Sequence, residues 1–302
     1  MPRNFLTGTE LDAVELVALL DRALELKAAP RSSRALAERC IGLVFEKPST
    51  RTRVSFEVGV VELGGHPLIM RGDELQIARG EALRDTALVL SRHLDAVGVR
   101  TGAQAMLDEL AAHATIHVFN MLTAEHHPCQ ALADLLTLRE AFGSLQGLRV
   151  AYVGDGNNVA RSLALLGTRA GVEVVVASPE GYELDAEIVA RARNLGGSVE
   201  LVTDPYEAVR GADAVYTDVW TSMGQETERD QRLHAFGGYT VDEALMKAAN
   251  PEAVFLHCLP AHRGQEVSAE VIDGPRSLVW QQAANRMHAA RSLLVDLVQE
   301  GD

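Results

Sequence analysis

Short apolar runs alternate with longer stretches of helical spacing along almost the whole chain. Runs at residues 41–45, 96–99, 116–119, 149–153, 173–177, 214–217 and 253–257 predict strands. Helical spacing predicts helices over 51–63, 81–93, 103–112 and 130–141, and a last one over roughly 284–297. The first helix, in ELDAVELVALLDRALELK, repeats Leu11, Val14, Val17, Leu20 and Leu24 on one face and stops before Pro30. Thr240 followed by Glu243 reads as a capping box opening TVDEALMKAAN. Strands that alternate with helices in this way form parallel sheets covered on both faces.

The chain has 302 residues, about twice the length of a typical domain. No repeat, low-complexity tract or Gly/Ser linker divides it, so the helix at 130–141, ahead of GSLQGLRVAYVGD, is the natural junction. The expected fold class is therefore α/β, with two doubly wound parallel-sheet domains joined by helices. Ligands of such sheets bind beyond the carboxyl ends of the strands. Those ends are followed here by STRTR, Arg100, HHPCQ, GDGNN, DVWTSMGQE and CLPAHRG. So many polar and cationic groups predict one active site in the interdomain cleft.

Charge narrows the partners. With 28 Lys and Arg against 42 Asp and Glu, the net charge is −14, which argues against nucleic acid. An anionic ligand then needs a local cluster of cations. Three scattered cysteines, Cys40, Cys129 and Cys258, do not make a secreted disulfide framework. Arg3, Glu10, Asp12 and Glu15 interrupt any signal-peptide core, and no apolar run approaches the ~20 residues of a membrane span. A cytoplasmic location and no membrane partner are the expectations.

Each polar stretch has its own chemistry. STRTR places Ser49, Thr50, Arg51 and Thr52 where a strand gives way to a helix, and free N–H groups and the helix dipole favour an anion there. Taken alone, Ser49 serves equally well as a plain N-cap. In HHPCQ, His127 and Gln130 share a face of a helix opened by Pro128, and both can donate to a carbonyl oxygen. No paired Cys/His group at zinc spacing accompanies His126 and Cys129, so no metal is expected. VGDGNNVARS has Val159 where a dinucleotide fingerprint needs its third glycine, and Asn158 there suits a carboxylate or amine. DVWTSMGQE sets Asp218 at a strand end with Ser222 and Met223 beyond, a cradle for a zwitterion. Cys258 follows an apolar strand, where a thiol is commonly buried and inert.

Taken together, STRTR, HPCQ, DVWTSMGQE and HCLPAHRG resemble the signature set of the ornithine carbamoyltransferases, in matching order from FEKPSTRTRVSFE to ANRMHA. The resemblance implies transfer of the carbamoyl group from carbamoyl phosphate to the side-chain amine of L-ornithine, giving L-citrulline and phosphate. It implies a carbamoyl phosphate-binding domain over residues 1–130 plus 284–302 and an ornithine-binding domain over 131–283. Ser49, Thr50, Arg51 and Thr52 would hold the phosphate, and Arg100, His127, Gln130 and Arg286 would complete that subsite. Gln76 resembles the residue that such proteins lend to a neighbouring subunit, which implies a homotrimer or a multiple of trimers. Asn158, Asp218, Ser222 and Met223 would bind ornithine, with Cys258 and Leu259 beside the reacting carbon and amine. Arg100, His127, Asp218 and Cys258 would carry the catalysis, with no metal or organic cofactor. The chain departs from the pattern at Ala284, where the family usually has Glu, and at Arg161, where His or Asn is common. A carbamoyltransferase for putrescine or an acylated ornithine, a catalytically silent subunit, and an NAD-binding oxidoreductase are the alternatives.

Overall fold

The computed structural model describes residues 2–221 and 226–299. Its contacts separate the chain into two units, Met1–Leu136 with Ala284–Asp302, and Thr137–Ala283. In chain order the first unit contains α1 (Ala13–Ala28), β1 (Cys40–Phe45), α2 (Thr50–Glu62), β2 (His66–Arg71), α3 (Leu83–Leu90), β3 (Ala96–Arg100), α4 (Gln104–His113) and β4 (His117–Leu122). Helix α5 (Pro128–Phe142) runs on from it into the second unit. There follow β5 (Arg149–Val153), α6 (Asn158–Arg169), β6 (Glu173–Ala177), α7 (Ala186–Asn194), β7 (Ser198–Val202), α8 (Pro205–Val209), β8 (Ala214–Thr217), α9 (Arg229–Ala235), α10 (Glu243–Ala248), β9 (Val254–His257) and α11 (Ala269–Ile272). Helix α12 (Val279–Gln299) returns the chain to the first unit.

The first sheet has the order β2-β1-β3-β4 and the second β7-β6-β5-β8-β9, and every strand pair is parallel. Each sheet is wound outward from its middle, so strand order reverses between β1 and β3 in one and between β5 and β8 in the other. Adjacent strands whose crossovers leave in opposite directions open a crevice at their carboxyl ends. Phe45 pairs with Arg100 at the first of these points. Gly98 belongs there because a Cβ on it would lie 2.2 Å from the Phe119 ring, which stacks on Phe56 of α2 at 5.2 Å.

All seven expected strands are present, with ends shifted by up to three residues. Two strands escaped the hydrophobic pattern, β2 and β7, and both are sheet edges. Edge strands bury less of each face, so HPLIMR and SVELV carry polar residues and, in β2, a proline. The buried face of α1 is also not the expected one. Leu16, Leu19, Leu20, Ala23 and Leu26 face the core, whereas Val14 is 78% exposed. Two apolar stripes overlap in that helix, and the one richer in leucine buries more area. The expected capping box is replaced by a single N-cap bond further along the loop. Asp242 caps α10 by accepting from the Leu245 N–H at 2.8 Å, while the Thr240 hydroxyl donates to the Gln265 carbonyl.

Candidate functional site

The reversal point of the first sheet gathers cations around one hydroxyl. Helix α2 begins at Thr50, so Ser49 is its N-cap residue, yet the Ser49 side chain makes no capping hydrogen bond. That leaves the first-turn N–H groups of α2, and the hydroxyls of Ser49 and Thr50, to an incoming ligand. Thr52 is buried one turn in, where Arg100 Nη1 donates to its Oγ1 at 3.1 Å and Arg286 Nη2 at 2.7 Å. Both acceptor lone pairs of the hydroxyl are then occupied, and its remaining capacity is to donate. Arg286 also donates through Nη1 to Gln130 Oε1, and Gln130 Nε2 donates to Asp134 Oδ1 at 2.8 Å. Beside Arg286, Asn285 accepts from Lys27 Nζ at 2.8 Å.

His127, at the start of α5, lies in the same field. Burial, reinforced by Arg286, Arg100 and Arg51, holds its imidazole well below the ordinary value. A neutral ring keeps one N–H to offer a carbonyl oxygen and adds no further positive charge. Cys129 next to it is structural: its thiol donates to the Asn120 carbonyl at 3.1 Å, and burial pushes it up to about 12. Gln76 is exposed in the 3₁₀ turn Gln76–Arg79 and makes no side-chain hydrogen bond to this group.

The reversal point of the second sheet is acidic. Asp218 follows β8 directly and is 5% exposed. Its Oδ1 accepts from the Cys258 thiol at 3.0 Å and its Oδ2 from Asn157 Nδ2 at 2.9 Å. Asn157, not Asn158, caps α6, accepting from the Val159 and Ala160 N–H groups. Gly156 lets the loop arrive there, since a Cβ on it would stand 2.5 Å from the Glu183 backbone. Asp155 in the same loop pairs with Arg232 of α9 at 2.7 Å, and burial pushes its carboxyl above the usual range while Arg232 pulls it back. Two carboxylates at this point repel a pyrophosphate, which speaks against dinucleotide binding. Arg232 also donates to the Trp220 carbonyl at 3.0 Å, and Arg161 pairs with Asp185 at 2.6 Å.

Cys258 and Leu259 leave the end of β9 on a loop organised by His257. The Leu259 N–H donates to His257 Nδ1 at 2.9 Å, so the ring proton sits on Nε2, which faces Glu266 Oε1 at 3.3 Å. Both His257 and Glu266 are buried, and the arrangement keeps Leu259 at φ 60°, a conformation few leucines adopt. Asp218, His257 and Cys258 set potential ligand atoms within 4.8 Å of one another. With both ring nitrogens of His257 already engaged, that trio suits a hydrogen-bond network better than a cation.

The structure thus gathers Thr52, Arg100, His127, Gln130 and Arg286 in one unit, and Asp218, Cys258 and Leu259 in the other. Ser222 and Met223 lie outside the described residues. Sequence reasoning missed Asn157, Asp155, Arg232, His257 and Glu266. Only Asn157 carried a legible signal, an asparagine immediately before a helix.

Residues 3–140 match the family model "Aspartate/ornithine carbamoyltransferase, carbamoyl-P binding domain", and residues 146–297 match "Aspartate/ornithine carbamoyltransferase, Asp/Orn binding domain". The chain is 53% identical to an ornithine carbamoyltransferase of Parafrankia sp., over 99% of this chain and 96% of that one. It is 49% identical to an ornithine carbamoyltransferase of Methanoculleus marisnigri, over 100% and 98%. Among solved structures, an ornithine carbamoyltransferase from Pyrococcus furiosus superposes with a TM-score of 0.94 at 47% identity, covering 100% of this chain and 98% of that one. One from Thermus thermophilus gives 0.91 at 44% identity, with 99% of each covered.

Proposed function

The chain belongs to the aspartate/ornithine carbamoyltransferase family, and from that premise we propose that it moves the carbamoyl group of carbamoyl phosphate onto the side-chain amine of L-ornithine, giving L-citrulline and phosphate. The observation that carries the reading is the convergence of Arg100 and Arg286 on the Thr52 hydroxyl at the amino end of α2. A dianionic phosphate beside a polarisable carbonyl is the ligand such a cluster suits.

Ser49, Thr50, Arg51 and the first N–H groups of α2 hold the phosphate. Gln130 and Arg286 bind the carbamoyl end, and the Thr52 hydroxyl, Arg100 and neutral His127 donate to the oxygen that becomes the tetrahedral oxyanion. Asn158 and Asp218 hold ornithine, with Cys258 and Leu259 beside the reacting nitrogen. A lysine-like amine has a pKa of ~10.4, so about one molecule in a few thousand is neutral at pH 7. Asp218, backed by Cys258, accepts the proton that frees the lone pair. The C–N bond then forms and the C–O bond to phosphate breaks. Of the two protons the ammonium surrenders, one leaves with the phosphate and one reaches solvent, while Arg51 and Arg100 neutralise the departing anion. The same residues run the transfer toward citrulline, as arginine biosynthesis requires, or back toward ornithine.

A homotrimer, or a multiple of trimers, completes the proposal, with Gln76 serving a neighbouring subunit. Val54, Val58 and Val61 support it, since they form an exposed valine stripe along α2, and each is at least 40% exposed in the single chain. A cytoplasmic location fits three free thiols, at Cys40, Cys129 and Cys258. Among the described residues no helix is long and apolar enough to cross a membrane.

The test is a colorimetric assay of ureido product with ornithine, putrescine and N-acetylornithine as acceptors. Ornithine is expected to exceed the other two by about 100-fold or more in kcat/KM, because each lacks one charge of the amino-acid end. Equal use of putrescine or acetylornithine would refute the acceptor assignment, and no product with any of them would refute the activity.

A further inference from the structure

Asp218 meets two neutral donors among the described residues, and each takes a different oxygen: Cys258 Sγ lies 3.0 Å from Oδ1, and Asn157 Nδ2 lies 2.9 Å from Oδ2. The orientation of the Asn157 amide is not a free choice. Its Oδ1 receives the Val159 N–H at 2.9 Å, the Ala160 N–H at 3.2 Å and the Tyr152 hydroxyl at 3.3 Å. Two of those three are backbone donors that cannot reverse, so the atom facing them must be oxygen and the one facing Asp218 must be NH₂. The helix start fixes the amide, and the amide fixes the carboxylate. We propose that Asn157 is a positioning residue for the reaction: through Nδ2 it keeps Asp218 turned so that Oδ1, beside Cys258, takes the proton of the incoming ammonium.

The surroundings give the amide this role. Asp218 shares its crevice with the Asp155 carboxyl, which disfavours two negative charges, and with His257 and Cys258 at the end of β9. Arg232 and Arg161 act on Asp155, and the charge of Arg232 is spent on its pairs with Asp155 and Glu228. No cation pairs directly with Asp218 among the described residues, so its two hydrogen bonds are what hold its orientation. A cationic partner would have done so more strongly, at the cost of repelling the ornithine ammonium.

The inference rests on the carbamoyl-transfer reading, and the experiment keeps the two apart. Asn157→Asp retains a good cap for α6 but sets a carboxylate where the amide donated, and Asn157→Ser retains a cap without the reach. Citrulline formation is followed against pH with wild type, both variants and Asp218→Asn, alongside melting temperature and carbamoyl phosphate binding. Wild type should show an acid limb of kcat/KM for ornithine that Asp218→Asn lacks. In Asn157→Asp that limb should move up by about one pH unit or more, because two facing carboxylates share a proton. At pH 7 its kcat/KM should fall at least about tenfold, with carbamoyl phosphate affinity and melting temperature near wild type. Asn157→Ser should lose less and shift the limb less. A limb in Asn157→Asp that coincides with wild type, or one that persists in Asp218→Asn, overturns the inference. Wild type that makes no citrulline overturns the carbamoyl-transfer reading instead.

Discussion

The two reversal points are the same topological device fitted with opposite charge. In the first unit, the strand ends of β1 and β3 present Arg51, Arg100 and, from α12, Arg286, around Thr52. In the second, β5, β8 and β9 present Asp155, Asp218 and Cys258. Two guanidinium groups share one hydroxyl oxygen in the first, and Asp218 meets only neutral donors in the second among the described residues. A crevice that concentrates charge of one sign is stabilised by a ligand of the other. The contrast explains how a chain of net charge −14 can take a dianion: local field, not the total, decides.

The largest effect expected from disturbing that contrast comes from Arg100→Met. Methionine fills a similar volume without charge, so the variant removes one of two cations crowded against Thr52. Turnover should fall about 10³-fold, the size of loss that follows when an oxyanion donor is removed. Melting temperature should hold or rise, because relieved repulsion offsets lost hydrogen bonds. A variant that is active but less heat-stable would show that Arg100 serves the fold and not the ligand. Next in size is Cys258→Ala, which removes one of the two donors to Asp218. A loss of about 10–100-fold in kcat/KM for ornithine is expected, with carbamoyl phosphate affinity unchanged. Weakened carbamoyl phosphate binding would place Cys258 in the wrong subsite.

How much of this was legible in the sequence follows from what each element buries. Central strands β1, β3, β5, β6 and β8 are covered on both faces, so they read as apolar runs such as CIGLVF and the VVVA of β6. The missed strands, β2 and β7, are edges whose polar residues hide the pattern. On the site side, STRTR and HCLP were legible because hydroxyls, arginines and a thiol are conspicuous after a strand. Their supports were not. Arg232 lies 77 positions from Asp155, and Asn157 lies 61 from Asp218. Such pairings depend on strand order, which no local pattern encodes. Glu266 was invisible for the same reason: nothing in RGQEV announces that its carboxylate is buried against His257.

The smallest effect is the most direct measure of the field in the first unit. His127 is held below its ordinary value of 6.5 by burial and by Arg286, Arg100 and Arg51. As pH falls past about 6.5 the unfolded chain takes up a proton at this ring and the folded chain does not, so stability falls. The stability is fully present above that pH and is lost progressively toward the lower folded value. Between pH 6.5 and 5.5 wild type should lose about 1 kcal/mol more than His127→Gln, measured by denaturant unfolding at each pH. Saturating inorganic phosphate should shrink the difference, because an anion against Arg51, Arg100 and Arg286 lets the ring protonate in the folded state. If the two proteins keep parallel stability curves with and without phosphate, the ring is not in the arginine field. The anion is then not bound where the first unit concentrates its charge.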